Sequence, residues 1–194
     1  MTELRTETEA STESFDSRLY NWTTHRWGKS ISLDAIFVAL AQWTPIVMLS
    51  VIVLAATGFA WNSHISGSPF VPAVTSVVSA MFARLLNEPI TRVSNRPRPF
   101  EQSLVPPLLR HDEGGSFPSN HATGAFALAF GFLQHTPYPL TWYFFILVIL
   151  AVLLALARVY TGLHYLTDVL AGSVNGMVVA VLVGALIHRV LMHL

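Results

Sequence analysis

The chain has no cysteine. That excludes disulfides, a thiolate nucleophile and cysteine-bound zinc together, and leaves the redox compartment open. Charge is scarce too: 11% of the 194 residues are charged, against roughly 25% in an ordinary soluble domain. The net charge is zero at neutral pH, so no basic field is available to attract nucleic acid. Residues 1–30 lack an apolar core behind a basic start and do not read as a cleavable signal peptide. Neither an internal repeat nor an interior linker divides the chain. One domain is therefore expected over 15–194, behind a Thr-, Glu- and Ser-rich tail at 1–14 that has too few apolar groups to offset the entropy of ordering it.

What the chain does have is apolar length. Hydrophobic residues make up 53% of it, and 35–61 holds no charged side chain at all. A bilayer core takes about 20 residues of helix, so spans are expected at 35–61, 70–90, 121–135, 140–158 and 163–192. Pro45 marks a kink, or a boundary with a short surface helix at 31–43. The fold class is therefore an all-α polytopic membrane bundle of about five transmembrane helices, or six if 31–61 splits. Residues 15–27 interleave Phe15, Leu19, Tyr20, Trp22 and Trp27 with Arg18, His25 and Arg26, as in a helix lying in the headgroup layer. Trp43 and Trp61 suit membrane interfaces. Arg84 and Glu88, four apart, are expected to pair on one helix face. In the last span Gly172, Gly176, Ala180 and Gly184 recur every fourth residue, a ridge that lets another helix come close.

The few charges gather in two places. Downstream, Arg158, His164 and Asp168 follow an unbroken apolar run at 142–157, and ionisable groups at a bilayer edge mark a functional site by default. His164 and Asp168 stand four apart, so on a helix they share a face and the carboxylate can hold one imidazole nitrogen. The other nitrogen can then act as base or nucleophile. Arg158 offers a rigid fork of donors that matches phosphate oxygens. Taken alone, the same residues also read as an arginine snorkelling to the interface and a structural His–Asp pair.

Upstream, Arg96-Pro-Arg98-Pro-Phe100 carries two guanidiniums on a backbone stiffened by proline, and Gly114-Gly-Ser-Phe-Pro-Ser119-Asn120-His121 leads into an apolar helix. Unpaired N–H groups at a helix N-terminus favour an anion, although this stretch alone could be no more than a capped helix start. Two spans separate His121 from His164, so both histidines emerge on one side of the membrane and the two clusters can meet.

Three motifs in order, Arg92 to Pro99, Pro118 to His121 and Arg158 to Asp168, resemble those of the type 2 phosphatidic acid phosphatase (PAP2) superfamily. The Arg-Pro-Arg-Pro-Phe run and the Phe-Pro-Ser-Asn-His form of the second motif are most similar to the bacterial undecaprenyl-diphosphatases of the bacitracin-resistance type. The chain departs from the pattern at three points: Thr91 stands where a basic residue is usual, with Arg92 next to it, Asn120 replaces a glycine, and Ala157 replaces a serine. The resemblance implies that His164, oriented by Asp168, attacks a lipid phosphate to give a phosphohistidine. It implies that His121 protonates the leaving oxygen, while Arg98, Ser119, Asn120, Arg158 and Arg92 hold the phosphate.

The reaction so implied is hydrolysis of undecaprenyl diphosphate to the monophosphate, without metal or other cofactor, in the bacterial plasma membrane with the site on the extracytoplasmic face. Phosphatidic acid and phosphatidylglycerol phosphate are alternative substrates. A non-catalytic lipid-phosphate binder or transporter is an alternative of another class. The partners implied are a lipid phosphate or polyprenyl diphosphate and membrane lipid. A metal site competes, since there are eight histidines. However, no His-Glu-x-x-His run is present, and His111-Asp112-Glu113 are adjacent in a loop rather than facing one point.

Overall fold

The structure, a computed structural model, describes residues 14–61, 70–110, 114–136 and 141–193. The tail at 1–13, residues 62–69, residues 137–140 and the His111-Asp112-Glu113 triplet lie outside the described residues, as does the side chain of Trp61. Six α-helices and one short 3-10 turn, with no strand among the described residues, make up the fold. They are α1 Phe15–Thr24, α2 Ile31–Trp61, α3 Phe70–Ser94, α4 Asn120–Leu133, α5 Thr141–Tyr160 and α6 Leu166–Met192, with the 3-10 turn at Pro99–Gln102.

Four stretches, Ile31–Gly58, Phe70–Gln102, Thr141–Tyr160 and Leu166–Met192, are long and apolar enough to cross a membrane. Large apolar side chains such as Leu54, Phe82, Leu85, Phe145, Ile149 and Leu182 point outward on them. So much exposed apolar surface would be untenable in water and is what lipid requires. The span expected at 121–135 is the shortest of the five. α4 has 14 residues, a length of roughly 21 Å, short of the roughly 30 Å hydrocarbon core. It lies at the centre of the bundle, packed by α3, α5 and α6.

The split considered for 31–61 does not occur: α2 is continuous with Pro45 inside it. Along the opposite side of the core the small-residue ridge of α6 packs directly on α4. A methyl group added at Gly172 would lie 2.6 Å from the Ser119 carbonyl oxygen and 2.9 Å from Thr123 Oγ1, closer than real carbon atoms approach. Below it Met48, Ile52, Leu128, Phe132, Leu147 and Leu154 form the main apolar cluster. The Ser76 hydroxyl donates to the Leu128 carbonyl at 2.7 Å and sets the register of α3 against α4.

Helix α1 begins at Ser14, whose side chain accepts from the Ser17 N–H. It lies across one end of the bundle, where Tyr20 and Thr23 are buried. Just beyond it the Trp27 indole donates to the Tyr160 carbonyl at 2.9 Å, satisfying an orphan carbonyl at the C-terminus of α5.

Candidate active site

The turn between α5 and α6 accounts for the five-residue gap between Arg158 and His164. Past the end of α5, Gly162 takes a positive φ of 76°, a conformation natural to glycine. Trp27 packs so closely there that a Cβ would lie 2.8 Å from its ring. The reversal brings both the Leu163 and His164 N–H groups to the carbonyl of Arg158, at 3.2 and 3.3 Å. Arg158 and His164 are thereby fixed to each other through the backbone.

Two further connections bring in the upstream motifs. The Ser119 N–H donates to the Asp168 carbonyl at 3.0 Å, joining the start of α4 to that of α6. His164 Nδ1 lies 2.9 Å from the Ser116 carbonyl, which fixes Nδ1 as the protonated nitrogen and leaves Nε2 as the lone pair. Arg98 Nη1 donates to that Nε2 at 3.2 Å and to the Leu163 carbonyl at 3.1 Å. Its Nε donates to the Gly114 carbonyl at 3.1 Å. Arg98, Ser119, Arg158, His164 and Asp168 are all buried.

Asp168 does not hold His164 as the spacing suggests. Its Oδ2 is 3.8 Å from Nδ1, beyond hydrogen-bond reach, and accepts instead from the Tyr165 N–H at 2.9 Å as the cap of α6. Its Oδ1 accepts from Arg96 Nη1 at 2.7 Å. Arg96 in turn donates through Nη2 to Asp16 of α1 at 2.8 Å. The Thr167 hydroxyl donates to that same Asp16 oxygen, and the Thr167 N–H donates to the other at 3.3 Å. Burial alone would raise the Asp16 pKa, but the Thr167 and Arg96 hydrogen bonds more than offset it and hold the carboxyl below its usual range. Sequence reasoning missed Asp16, Thr167 and the Ser116 carbonyl. It saw Arg96 only as one of two guanidiniums.

In contrast, buried donors of Arg158 and Ser119 are unsatisfied among the described residues. Arg158 is 2% exposed, yet its Nε and Nη2, and the buried Ser119 hydroxyl, have no hydrogen-bond partner among the described residues. A buried cation left unpaired is costly, and the geometry that resolves the cost is an anion bound between these groups. Burial first, together with the charges of Arg158 and Arg98, pushes the His164 pKa down to about 4, with Asp168 pulling the other way. The imidazole is therefore neutral, and nucleophilic, throughout the physiological range.

His121 sits in the first turn of α4 and lines two cavities that meet there. One, of about 420 Å³, is also lined by Arg158, Arg110, Gln42 and Trp43. The other, of about 310 Å³, is mostly apolar. Asn120 turns its side-chain carbonyl to Asn87 of α3, which donates at 2.8 Å. Asn87 in turn accepts from Asn175 of α6 at 2.6 Å.

Arg92 is not brought to this cluster. It is exposed and bonds Glu88 through Nε and Nη2 at 3.0 and 2.9 Å, so the Arg84–Glu88 pair expected from spacing is not formed either. The residue that does face the loop is Thr91: a Cβ on Gly115 would lie 2.6 Å from its methyl carbon. Among the described residues no group of three His, Asp or Glu side chains is disposed to hold a metal ion.

A neutral histidine beside two buried arginines, a serine hydroxyl and a helix N-terminus, at one end of a membrane bundle, has the chemistry to receive a phosphate. Residues 72–191 match the PAP2 superfamily, and the chain belongs to that family of membrane lipid phosphatases. It is 32% identical to undecaprenyl-diphosphatase BcrC of Bacillus subtilis (strain 168) over 157 residues, 81% of this chain and 74% of that one. It is 34% identical to phosphatidylglycerophosphatase B of the same organism over 107 residues, 52% of this chain and 50% of that one. The fold matches the crystal structure of a transmembrane PAP2-type phosphatidylglycerolphosphate phosphatase from Bacillus subtilis with a TM-score of 0.66 at 22% identity, over 93% of this chain and 90% of that one.

Proposed function

We propose that this protein hydrolyses undecaprenyl diphosphate to undecaprenyl phosphate and inorganic phosphate through a phosphohistidine on His164. The observation that carries the reading is the buried Arg158 guanidinium, whose Nε and Nη2 have no hydrogen-bond partner among the described residues, near the neutral His164. Such donors stabilise charge on a transferring phosphoryl group without reorganising at the moment of reaction.

Arg98 now donates to the nitrogen that must attack. An incoming terminal phosphate offers that guanidinium a better, charged acceptor and so releases the Nε2 lone pair. His164 Nε2 bonds to the terminal phosphorus as the bridging P–O bond breaks, and protonated His121 gives its proton to the departing inner-phosphate oxygen. His121, now neutral, takes a proton from water. The water oxygen bonds to phosphorus, the P–N bond breaks, and phosphate leaves with His164 restored.

Arg98, Arg158, Ser119 and the N–H groups opening α4 hold the nonbridging oxygens, with the Asn120 amide beside them. Asp168, at 3.8 Å, stabilises the imidazolium-like phosphohistidine through space rather than by a hydrogen bond. The scheme needs no metal. The relationship to undecaprenyl-diphosphatase BcrC favours a polyprenyl diphosphate as substrate, and a diphosphatase that recycles a carrier lipid would work with its site on the extracytoplasmic face of a bacterial plasma membrane.

The likeness to phosphatidylglycerophosphatase B supports a second reading, a glycerolipid phosphate substrate. Phosphate release from undecaprenyl diphosphate and from phosphatidylglycerol phosphate, measured in EDTA for wild type and His164→Ala, separates the possibilities. The expected result is higher kcat/KM on the diphosphate for wild type and none for the variant. A preference for the glycerolipid would overturn the substrate, activity lost in EDTA and restored by a divalent ion would overturn the mechanism, and full activity of His164→Ala would overturn the nucleophile.

A further inference from the structure

Arg84 is a cation in the membrane-crossing part of α3 that the mechanism above leaves unused. Among the described residues it makes no ion pair, since Glu88 is taken by Arg92. An arginine there costs free energy unless it snorkels or is used. Its place in the lining of the apolar cavity that reaches His121 favours use.

The 310 Å³ cavity lies between α2, α3 and α4, and its lining follows helical spacing on each. Going down from the site, α4 contributes His121, Gly124, Ala125 and Leu128, and the antiparallel α3 contributes Arg84, Met81 and Val77. The polar end is therefore formed by His121, Asn120 and Arg84, and the rest is apolar. The alignment is fixed by two contacts. Asn87 bonds Asn120 at 2.8 Å, and Arg84 lies one turn deeper, about 4.5 Å along the helix. A methyl group on Gly124, one turn below His121, would lie 3.6 Å from Arg84 Cδ.

The second cavity also reaches His121, but from the side of Arg158 and Arg110. A diphosphate lipid that places its terminal phosphate with Arg158 and His164 and its chain in the apolar cavity must pass its inner phosphate by His121. Arg84 is the cation on the chain side of that point.

We propose that Arg84 binds the inner phosphate of a diphosphate lipid and thereby selects diphosphates over phosphate monoesters, whose single phosphate is held by Arg98 and Arg158. This rests on the diphosphatase reading. The inner phosphate is the leaving group and remains on the lipid product, so Arg84 acts on substrate and product alike.

The test is steady-state kinetics of purified wild type, Arg84→Gln and Arg84→Lys on undecaprenyl diphosphate and on phosphatidic acid, with product inhibition by undecaprenyl phosphate. Loss of one charged hydrogen bond predicts a rise of about tenfold to a hundredfold in KM for the diphosphate and in Ki for undecaprenyl phosphate. Arg84→Gln should leave KM for phosphatidic acid within about twofold, and Arg84→Lys should recover part of the loss. A snorkelling arginine predicts no difference between substrates. Equal change on both substrates, or on neither, overturns the role of Arg84 alone. A wild type that turns over phosphatidic acid but not the diphosphate overturns the substrate reading and this role with it.

Discussion

Arg96 and Arg98 stand two residues apart on one proline-stiffened strand of loop, and their surroundings could hardly differ more. Arg96 is closed: both terminal nitrogens are spent on carboxylates, Asp16 and Asp168, and its guanidinium stacks on the Tyr165 ring with 4.2 Å to the centroid. Arg98 is held by the backbone carbonyls of Gly114, Gly115 and Leu163 and by His164, with no carboxylate within ion-pair distance among the described residues. Its positive neighbour Arg158 has Nε and Nη2 without a partner among the described residues. Two residues apart on regular extended backbone would share a face, yet Arg96 and Arg98 have separate sets of partners, so one motif supplies both a structural clamp and a proposed phosphate ligand. Charge pairing separates the arginine that ties the fold together from the one proposed to receive an anion.

The largest break in this comparison is at the reacting atom. His164→Ala should lower phosphate release by at least about 10⁴-fold while the purified protein keeps its thermal unfolding midpoint within a few degrees. Next is the open arginine. Arg158→Ala should lower kcat by about 10²- to 10³-fold, and added guanidinium chloride at low concentration should restore part of it, because the space and the demand for charge both remain. The same variant sharpens the electrostatics. His164 is held at about 4 by burial and by Arg158 and Arg98, so wild-type kcat/KM should lose the neutral nucleophile only below about pH 5. Without Arg158 the histidine pKa rises, and the acid limb should move to higher pH. An unmoved limb would show that Arg158 does not act on His164.

The closed side should respond in stability first. Asp16→Asn removes the charge that Arg96 shares with Asp168. Breaking a buried pair costs about 3–5 kcal/mol, and since Arg96 is 31% exposed solvent reduces this to about 1–2 kcal/mol. A lower midpoint of thermal unfolding in detergent, with no rescue by guanidinium, is the expected signature. Guanidinium rescue of Arg96→Ala comparable to that of Arg158→Ala would erase the distinction between the two sites.

The difference was only half legible in the sequence. Apolar runs gave the membrane class and most helices because hydropathy is summed over twenty residues and tolerates local error. Pro45 was harder to read. Its missing N–H ends helices in water, but neighbouring helices can absorb the loss inside a membrane, and α2 continues through it. Motif spacing brought Arg158 and His164 together because that distance is one local turn, at Gly162, whereas His121 reaches the cavity that Arg158 also lines from the first turn of another helix, α4. Spacing also suggested the wrong acceptor for His164. An i,i+4 carboxylate can reach an imidazole, but Asp168 has rival donors in the Tyr165 N–H and in Arg96, 72 positions upstream. Asp16, 151 positions from Thr167, leaves no local signal at all.

The smallest expected effect concerns Arg92, which neighbours the motif position held by Thr91 and is basic, as the family pattern asks. Its side chain is 77% exposed and its partner Glu88 is 59% exposed, and an i,i+4 pair of that kind contributes about 0.3–0.5 kcal/mol. Position 91 points toward Gly115 and the loop bearing Arg98's carbonyl partners, whereas position 92 is turned roughly 100° away on the helix. Arg92→Ala should therefore leave kcat and KM within about twofold and barely move the unfolding midpoint. The sharper substitution is Thr91→Lys, which returns a cation to the face that looks at the loop. A lower KM for Thr91→Lys with Arg92→Ala silent would establish that helix face, and not the mere presence of a basic residue, decides which side chain reaches the phosphate. A tenfold loss in Arg92→Ala would mean that Arg92 leaves Glu88 and swings inward when substrate binds.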